Sequence, residues 1–218
     1  MDTKKLIPFL QNKAGLFPKK WNGRKAILEM KKAGYPHWRQ MEWIGFYFQF
    51  LCETRFSEHM ISPGPSFGKT SFDGFSTIPW DFKAHPQKDA KGKESNRVIA
   101  NAYDATLQAL QEYGGVGIIL ALGDAVYNDI DRSFQTWHAK LKGGISSYEK
   151  EREDRGAPSR LRKTAFSLSK ILIITLTKED LKDTALFQKN FRNSNGTPRK
   201  EKVLLSLETI HPVATIHF

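Results

Sequence analysis

Val116–Leu122 (VGIILAL) carries no polar side chain and stands between Gly114-Gly115 and Gly123. A half-exposed strand alternates apolar with polar residues, whereas an unbroken apolar run of this length fits a strand buried on both faces. Lys170–Thr177 (KILIITLT), whose apolar run Ile171–Leu176 is interrupted at Thr175, reads as a further strand. Strands of this type need a layer on each side, so the chain is expected to be α/β. Neither run approaches the roughly 20 residues of a membrane-spanning helix, and no membrane association is expected.

At 218 residues, the chain suits one core of ordinary size better than two. Its 12% aromatic content excludes disorder throughout. The single cysteine, Cys52, excludes a disulfide framework and any cysteine-built zinc or iron–sulfur site. Lone on an apolar segment, it reads as a core residue. Together with the absence of an apolar signal core after Met1–Pro8, it suits a cytoplasmic protein. The net charge of +11 is unevenly spread: residues 1–40 contribute +8, residues 189–202 contribute +4, and the rest sums to −1. Clustered Lys and Arg of this kind are the electrostatic footprint of a nucleic-acid binder, although lysine-rich faces can also be merely solvated.

The chain divides into a basic arm, residues 1–37, and one domain, residues 38–218. A short helix is expected over Arg24–Lys32. Trp38–Glu53 is apolar in nearly every helical direction except a stripe of Arg39, Glu42, Gln49 and Glu53, which predicts a central, mostly buried helix. After the break at Pro63-Gly64-Pro65, Lys69–Asp73 and Thr77–Ala84 read as a hairpin across Gly74-Phe75-Ser76. Arg97–Tyr113 places Val98, Ala102, Ala105 and Leu110 near one helical face. Beyond the buried strand come a helix over Asp129–Leu141, a charged stretch Glu149–Lys163, the strand Lys170–Thr177, and extended segments Val203–Leu207 and Val213–Phe218.

Some motifs fail on spacing. Gly64-Pro-Ser-Phe-Gly68-Lys69-Thr70 is one residue short of a phosphate loop and leads into an extended pattern instead of a helix. Gly115-Val-Gly117 precedes its strand and lacks a third glycine, so a dinucleotide fold is not supported. The six histidines show no zinc spacing.

The chemistry concentrates in Ser71–His85 (SFDGFSTIPWDFKAH). In a strand, Asp81, Lys83 and His85 share one face, and Trp80, Phe82 and Ala84 share the other. Hairpin pairing can bring the Asp73 carboxylate close to that of Asp81. Two carboxylates and an ammonium at one point can hold a hard divalent ion, polarise a water and offset charge on a phosphate. Asp/Glu-x-Lys also occurs at Asp2, Glu29, Asp89 and Asp180, so the tripeptide gains its meaning from the earlier acid, the apolar flanks and the surrounding elements. The bland alternative is a surface hairpin with an Asp81–Lys83 salt bridge. His85 reads more simply as a strand-end polar residue than as a proton carrier.

With Asp73, Asp81 and Lys83 in this order, after one helix and before another helix and a buried strand, residues 38–122 resemble the PD-(D/E)XK nucleases, the group that holds most type II restriction endonucleases. Phe72 stands where the proline of the family's name would be. The resemblance implies a restriction-endonuclease-like α/β core of helix, three-stranded meander, helix and strand, at about 38–127. It also implies DNA-recognition additions in further C-terminal strands and helices, at about 128–218. It implies Mg²⁺ held by Asp73 and Asp81, catalysis by these acids with Lys83, and a possible contribution from Glu42 on the first helix. Sequence-specific cutting of double-stranded DNA by a homodimer follows, with a DNA methyltransferase as functional partner. A repair or structure-selective nuclease on the same core, and a non-catalytic DNA-binding protein, are the alternatives.

The polar loop Phe191–Arg199 offers Arg192, Asn193, Asn195 and Arg199, side chains suited to paired contacts with guanine and adenine edges, and Lys200 follows them. The same residues also make ordinary turns. Arg155, Arg160, Arg162 and Lys163, around Gly156-Ala157-Pro158, form a second candidate clamp on DNA.

Overall fold

The two apolar runs are adjacent antiparallel strands at the centre of the molecule, and the remaining elements are arranged to cover their two faces. The computed structural model describes residues 3–157, 161–183, 186–188, 197–198 and 200–218. The chain opens with α1 (Thr3–Gly15), β1 (Lys20–Asn22), α2 (Gly23–Lys32), a 3-10 turn (Pro36–Arg39) and α3 (Trp43–Phe56). The short strands β2 (Ser66–Phe67), β3 (Thr70–Ser71) and β4 (Gly74–Phe75) lead to β5 (Pro79–Pro86), β6 (Arg97–Ala102), α4 (Tyr103–Tyr113) and β7 (Val116–Val126). Then follow α5 (Ser133–Lys142), α6 (Ser147–Asp154), β8 (Ala165–Leu176), α7 (Lys178–Asp183), β9 (Leu186–Gln188), β10 (Lys202–Ser206) and β11 (Ala214–His217).

The main sheet is mixed. Its order is β1-β8-β7-β5-β4, with β11 also pairing β8. β5 and β7 are parallel, in a register that sets Trp80 opposite Gly117 and Asp81 opposite Ile118, while β4–β5 and β7–β8 are antiparallel. Alternation along the central strands sends successive side chains into two different cores, which explains their apolar stretches. Ile119, Ala121, Ile171 and Ile173 join one core with Leu10, Ile27, Phe48 and Phe56 from α1, α2 and α3. Ile118, Leu120, Leu172 and Ile174 join a second core with Leu110 of α4 and Val98, Val203 and Leu205 of a separate three-stranded sheet, β6-β10-β9. Each such aliphatic side chain taken out of water contributes roughly 1.5–3 kcal/mol.

Two glycines are required where they stand. Gly114 ends α4 in the left-handed conformation (φ 74°), and its N–H bonds the Leu110 carbonyl. Gly117 lies under Trp80: a Cβ there would come within 2.2 Å of the indole. The Gly115-Val-Gly117 pattern is thus a consequence of packing against the strand that carries Asp81.

The fold departs from the sequence reading at several points. Residues read as a basic arm are built into the main core. Leu6, Leu10 and Ala14 form a one-per-turn stripe on α1, continued by Phe17 and Trp21, and all are buried. The central helix starts at Trp43, because the Trp38 carbonyl is taken by His138 Nε2 (3.0 Å) and residues 36–39 form a separate turn. The hairpin is shifted, with Gly74 and Phe75 in a strand and the turn at residues 76–78. Arg97–Ala102 is a strand and not the start of a helix. Val98, Ala100 and Ala102 are buried at a period of two, and pairing with β10 overrides the helical spacing. The expected three-stranded meander is therefore not found within one sheet: β4 and β5 pair, and β6 belongs to the second sheet.

Candidate active site

β4 is only two residues long, so beyond Trp80 the outer edge of β5 has no strand beside it among the described residues. Asp73, which immediately precedes β4, continues the ladder in a different way. Its backbone N–H donates to the Trp80 carbonyl (2.9 Å), and its carboxylate Oδ2 accepts the N–H of Phe82 (2.7 Å). A side chain therefore occupies the next rung, which fixes the carboxylate against β5 between Asp81 and Lys83.

Lys83 Nζ bonds Asp81 Oδ1 at 2.9 Å; the Asp81 side chain is 3% exposed and that of Lys83 28%. Asp81 Oδ2 is buried and has no hydrogen-bond partner among the described residues. An anionic oxygen left bare in this way is costly unless something else binds it.

The electrostatics agree. Burial, and then the Asp81 charge, push the Asp73 pKa up from 3.8 to about 8, so with no cation bound Asp73 keeps its proton near neutral pH. Burial works against the Lys83 ammonium, but Asp81 and Asp73 outweigh it and hold the pKa of Lys83 above its ordinary value. Behind Asp73, Cys52 is fully buried, and its pKa is pushed up first by burial and then by the Asp73 charge, so it is a protonated core thiol.

Asp73 and Lys83 line a cleft of about 300 Å³, whose opposite wall is Ile44, Phe46 and Gln49 of α3. Glu42 reaches the same cleft from the N-cap position of α3. It caps no backbone N–H there, and its carboxylate is bonded by Lys163 Nζ. Among the described residues no three His, Cys, Asp or Glu side chains form one metal-holding group, so Glu42 does not join Asp73 and Asp81. His85 is tethered through Nε2 to the Ser95 carbonyl (2.9 Å), and burial lowers its pKa.

The residues expected to contact DNA separate into groups. Arg162 is a correction: it is buried, and its guanidinium bonds the buried Glu149 at 2.8 Å, so it braces the protein instead of facing a ligand. Lys163 turns instead into the cleft lined by Asp73 and Lys83, a placement that sequence reasoning missed because it depends on Glu42, 121 residues away. Arg155 is exposed at the end of α6, where its Nε bonds the Glu151 carbonyl. Lys200 is also exposed. Arg160, Arg192, Asn193, Asn195 and Arg199 lie outside the described residues.

No protein-family model, curated protein or solved structure gives a match to this chain.

Proposed function

We propose that this protein is a Mg²⁺-dependent nuclease that hydrolyses phosphodiester bonds in double-stranded DNA, of the PD-(D/E)XK type and acting as a restriction endonuclease. The observation that carries this reading is the convergence of Asp73, Asp81 and Lys83 at the open edge of β5, with Asp81 Oδ2 buried and unpartnered. Two adjacent carboxylates, one with a bare oxygen and the other kept protonated by burial and by its acidic neighbour, are a donor set that a hard cation fits. Mg²⁺ is commonly held by one or two carboxylates with waters and substrate phosphate completing the shell, so Asp73 and Asp81 would suffice to hold it. When bound, the ion would lower the pKa of a water and offset charge on the phosphate.

The chain's own residues divide the remaining work. Asp73 must release its proton for the site to accept a cation, and its bond from the Phe82 N–H keeps the carboxylate in place as it does so. Lys83 is an ammonium by virtue of its two acidic neighbours, which assigns it the role of donor. It orients the attacking water or stabilises the extra charge on the phosphate in the transition state, and it does not act as the base. Asp81 holds that ammonium 2.9 Å away through Oδ1 while Oδ2 stays available. The clustered positive charge of the chain supports a polyanionic substrate. A homodimer on DNA belongs to the same reading, since a short chain that cuts a palindrome presents two copies about a twofold axis.

The test is plasmid and linear duplex DNA incubated with purified protein. Cutting or nicking with Mg²⁺ and none with EDTA is expected. Binding without cleavage in Mg²⁺ would leave a DNA-binding protein with a salt-bridged hairpin.

A further inference from the structure

Glu42 and Lys163 form the partition between two clefts. On one side is the cleft that holds Asp73 and Lys83; on the other, a cleft of about 370 Å³ is lined by Asp89, Tyr127 and Arg162, and the Glu42–Lys163 pair lines both. The two members are held very differently. Lys163 sits on a braced backbone: its carbonyl accepts the Trp43 indole N–H (2.7 Å), and the next residue, Thr164, bonds Val126 and Gly23 through its main chain. Just before it, Arg162 is locked to Glu149. Its own side chain is 21% exposed, whereas that of Glu42 is 64% exposed and is not engaged in capping its helix. A fixed cation therefore has a loosely held, solvent-facing anion as its partner, and such pairs are easily exchanged.

We infer that Lys163 is a phosphate-binding residue of the catalytic cleft, and that Glu42 is the carboxylate that occupies it until a nucleic-acid phosphate takes its place. The inference rests on the reading of the cleft as a nucleic-acid site. A phosphate oxygen accepts the same charge-assisted hydrogen bond from an ammonium that a carboxylate oxygen does. A polyanion also gains from counterion release, which a single exposed carboxylate cannot match. Displacement of Glu42 toward solvent removes the partition and joins the two clefts into one groove, with Lys83 and Lys163 both facing the strand. The expectation that Glu42 assists catalysis directly is replaced by one in which it competes with the substrate.

The test measures binding, not cleavage, so that it stands apart from the nuclease assay. Full-length protein is titrated against a labelled duplex in EDTA at several salt concentrations, as wild type, Glu42→Gln, Lys163→Met and the double variant, each checked for an unchanged thermal transition. Glu42→Gln is expected to bind several-fold tighter at low salt. Lys163→Met is expected to bind several-fold more weakly, with a salt dependence reduced by about one unit of slope. The gain from Glu42→Gln should shrink or vanish when Lys163 is already Met. An equal gain in both backgrounds would make Glu42 a source of general repulsion only and overturn the inference, as would wild-type affinity and slope in Lys163→Met. A chain that shows this coupling but never cuts with Mg²⁺ sinks the nuclease reading and leaves the inference intact; a chain that cuts without the coupling does the reverse.

Discussion

The Phe82 N–H donates to Asp73 Oδ2 across 2.7 Å, so a carboxylate takes the place of a backbone carbonyl in the β4–β5 ladder. This substitution couples the fold to the site: the point where β4 stops pairing is the point where an acid is delivered to Asp81 and Lys83. An amide at position 73 can still accept the Phe82 N–H, whereas an amide at either acid lacks the charge to hold a cation.

Asp81→Asn and Lys83→Ala are therefore expected to abolish cleavage while leaving duplex affinity within about twofold, because in the proposed reading both residues act on metal and water and not on groove contacts. Asp73→Asn should share this phenotype. Plasmid cleavage set beside a mobility-shift titration checks it, and full Mg²⁺-dependent cutting by Asp81→Asn protein would falsify the site.

The Asp73 proton predicts an unusual pH dependence. A carboxyl with an ordinary pKa of 3.8 that is raised to about 8 in the folded chain keeps a proton in the native state throughout that window and loses it on unfolding. Stability in EDTA should therefore fall as pH rises from about 4 to about 8, the reverse of a salt-bridged carboxylate. Asp73→Asn should remove this slope and make the metal-free protein more stable than wild type at pH 8, with little difference at pH 4. Mg²⁺ should stabilise the wild type more at pH 8 than at pH 6, since the ion displaces that proton. Urea unfolding of both proteins across pH, with and without Mg²⁺, measures all of these.

Gly117 offers a test of how the strand that carries Asp81 and Lys83 is held. Its ladder partner is Trp80, and the indole fills the space that a Cβ would take, at 2.2 Å. Gly117→Ala should cost roughly 1–3 kcal/mol or more by overpacking, and by shifting β5 it should lower cleavage beyond the loss of folded protein. An unchanged denaturation midpoint in Gly117→Ala would show that Trp80 moves aside freely.

What was legible in the sequence was local or strongly periodic. The runs at Val116–Leu122 and Lys170–Thr177 announce β7 and β8 because strands packed on both faces leave long apolar stretches in the sequence. α3 is visible from its all-round apolar character, and the Asp73, Asp81 and Lys83 spacing is visible because a hairpin relates them. The rest depends on distant partners. β6 reads as helix until β10 pairs with it, since Val98 and Ala102 suit both periods. Leu6, Leu10 and Ala14 are too thin a stripe among lysines to signal a core element, and only α3 and β11, packed against α1, give them a surface to bury. The Glu42–Lys163 pair has no sequence signal, because nothing local relates the start of α3 to the residue before Thr164.

Arg162 separates a structural role from a DNA contact. It was expected in a clamp with Arg155, Arg160 and Lys163, yet its side chain is 9% exposed and it bonds Glu149 at 2.8 Å, while Lys142 approaches the same carboxylate at 3.9 Å. Burial is the largest influence on its guanidinium and lowers its pKa, and the Glu149 charge opposes that effect. Truncating one partner of such a pair leaves the other buried and uncompensated, a loss of about 3–5 kcal/mol. Arg162→Ala should therefore unfold at markedly lower denaturant, and Glu149→Gln should also be destabilised, while Arg155→Ala, altered only at an exposed site, should keep wild-type stability. On duplex DNA the order should reverse: an effect of Arg155→Ala on affinity with the fold intact, and none from Arg162 beyond the fraction unfolded. Denaturation midpoints and duplex affinities measured on the same preparations decide it. Wild-type stability with weakened DNA binding in Arg162→Ala would return that arginine to the DNA-facing surface.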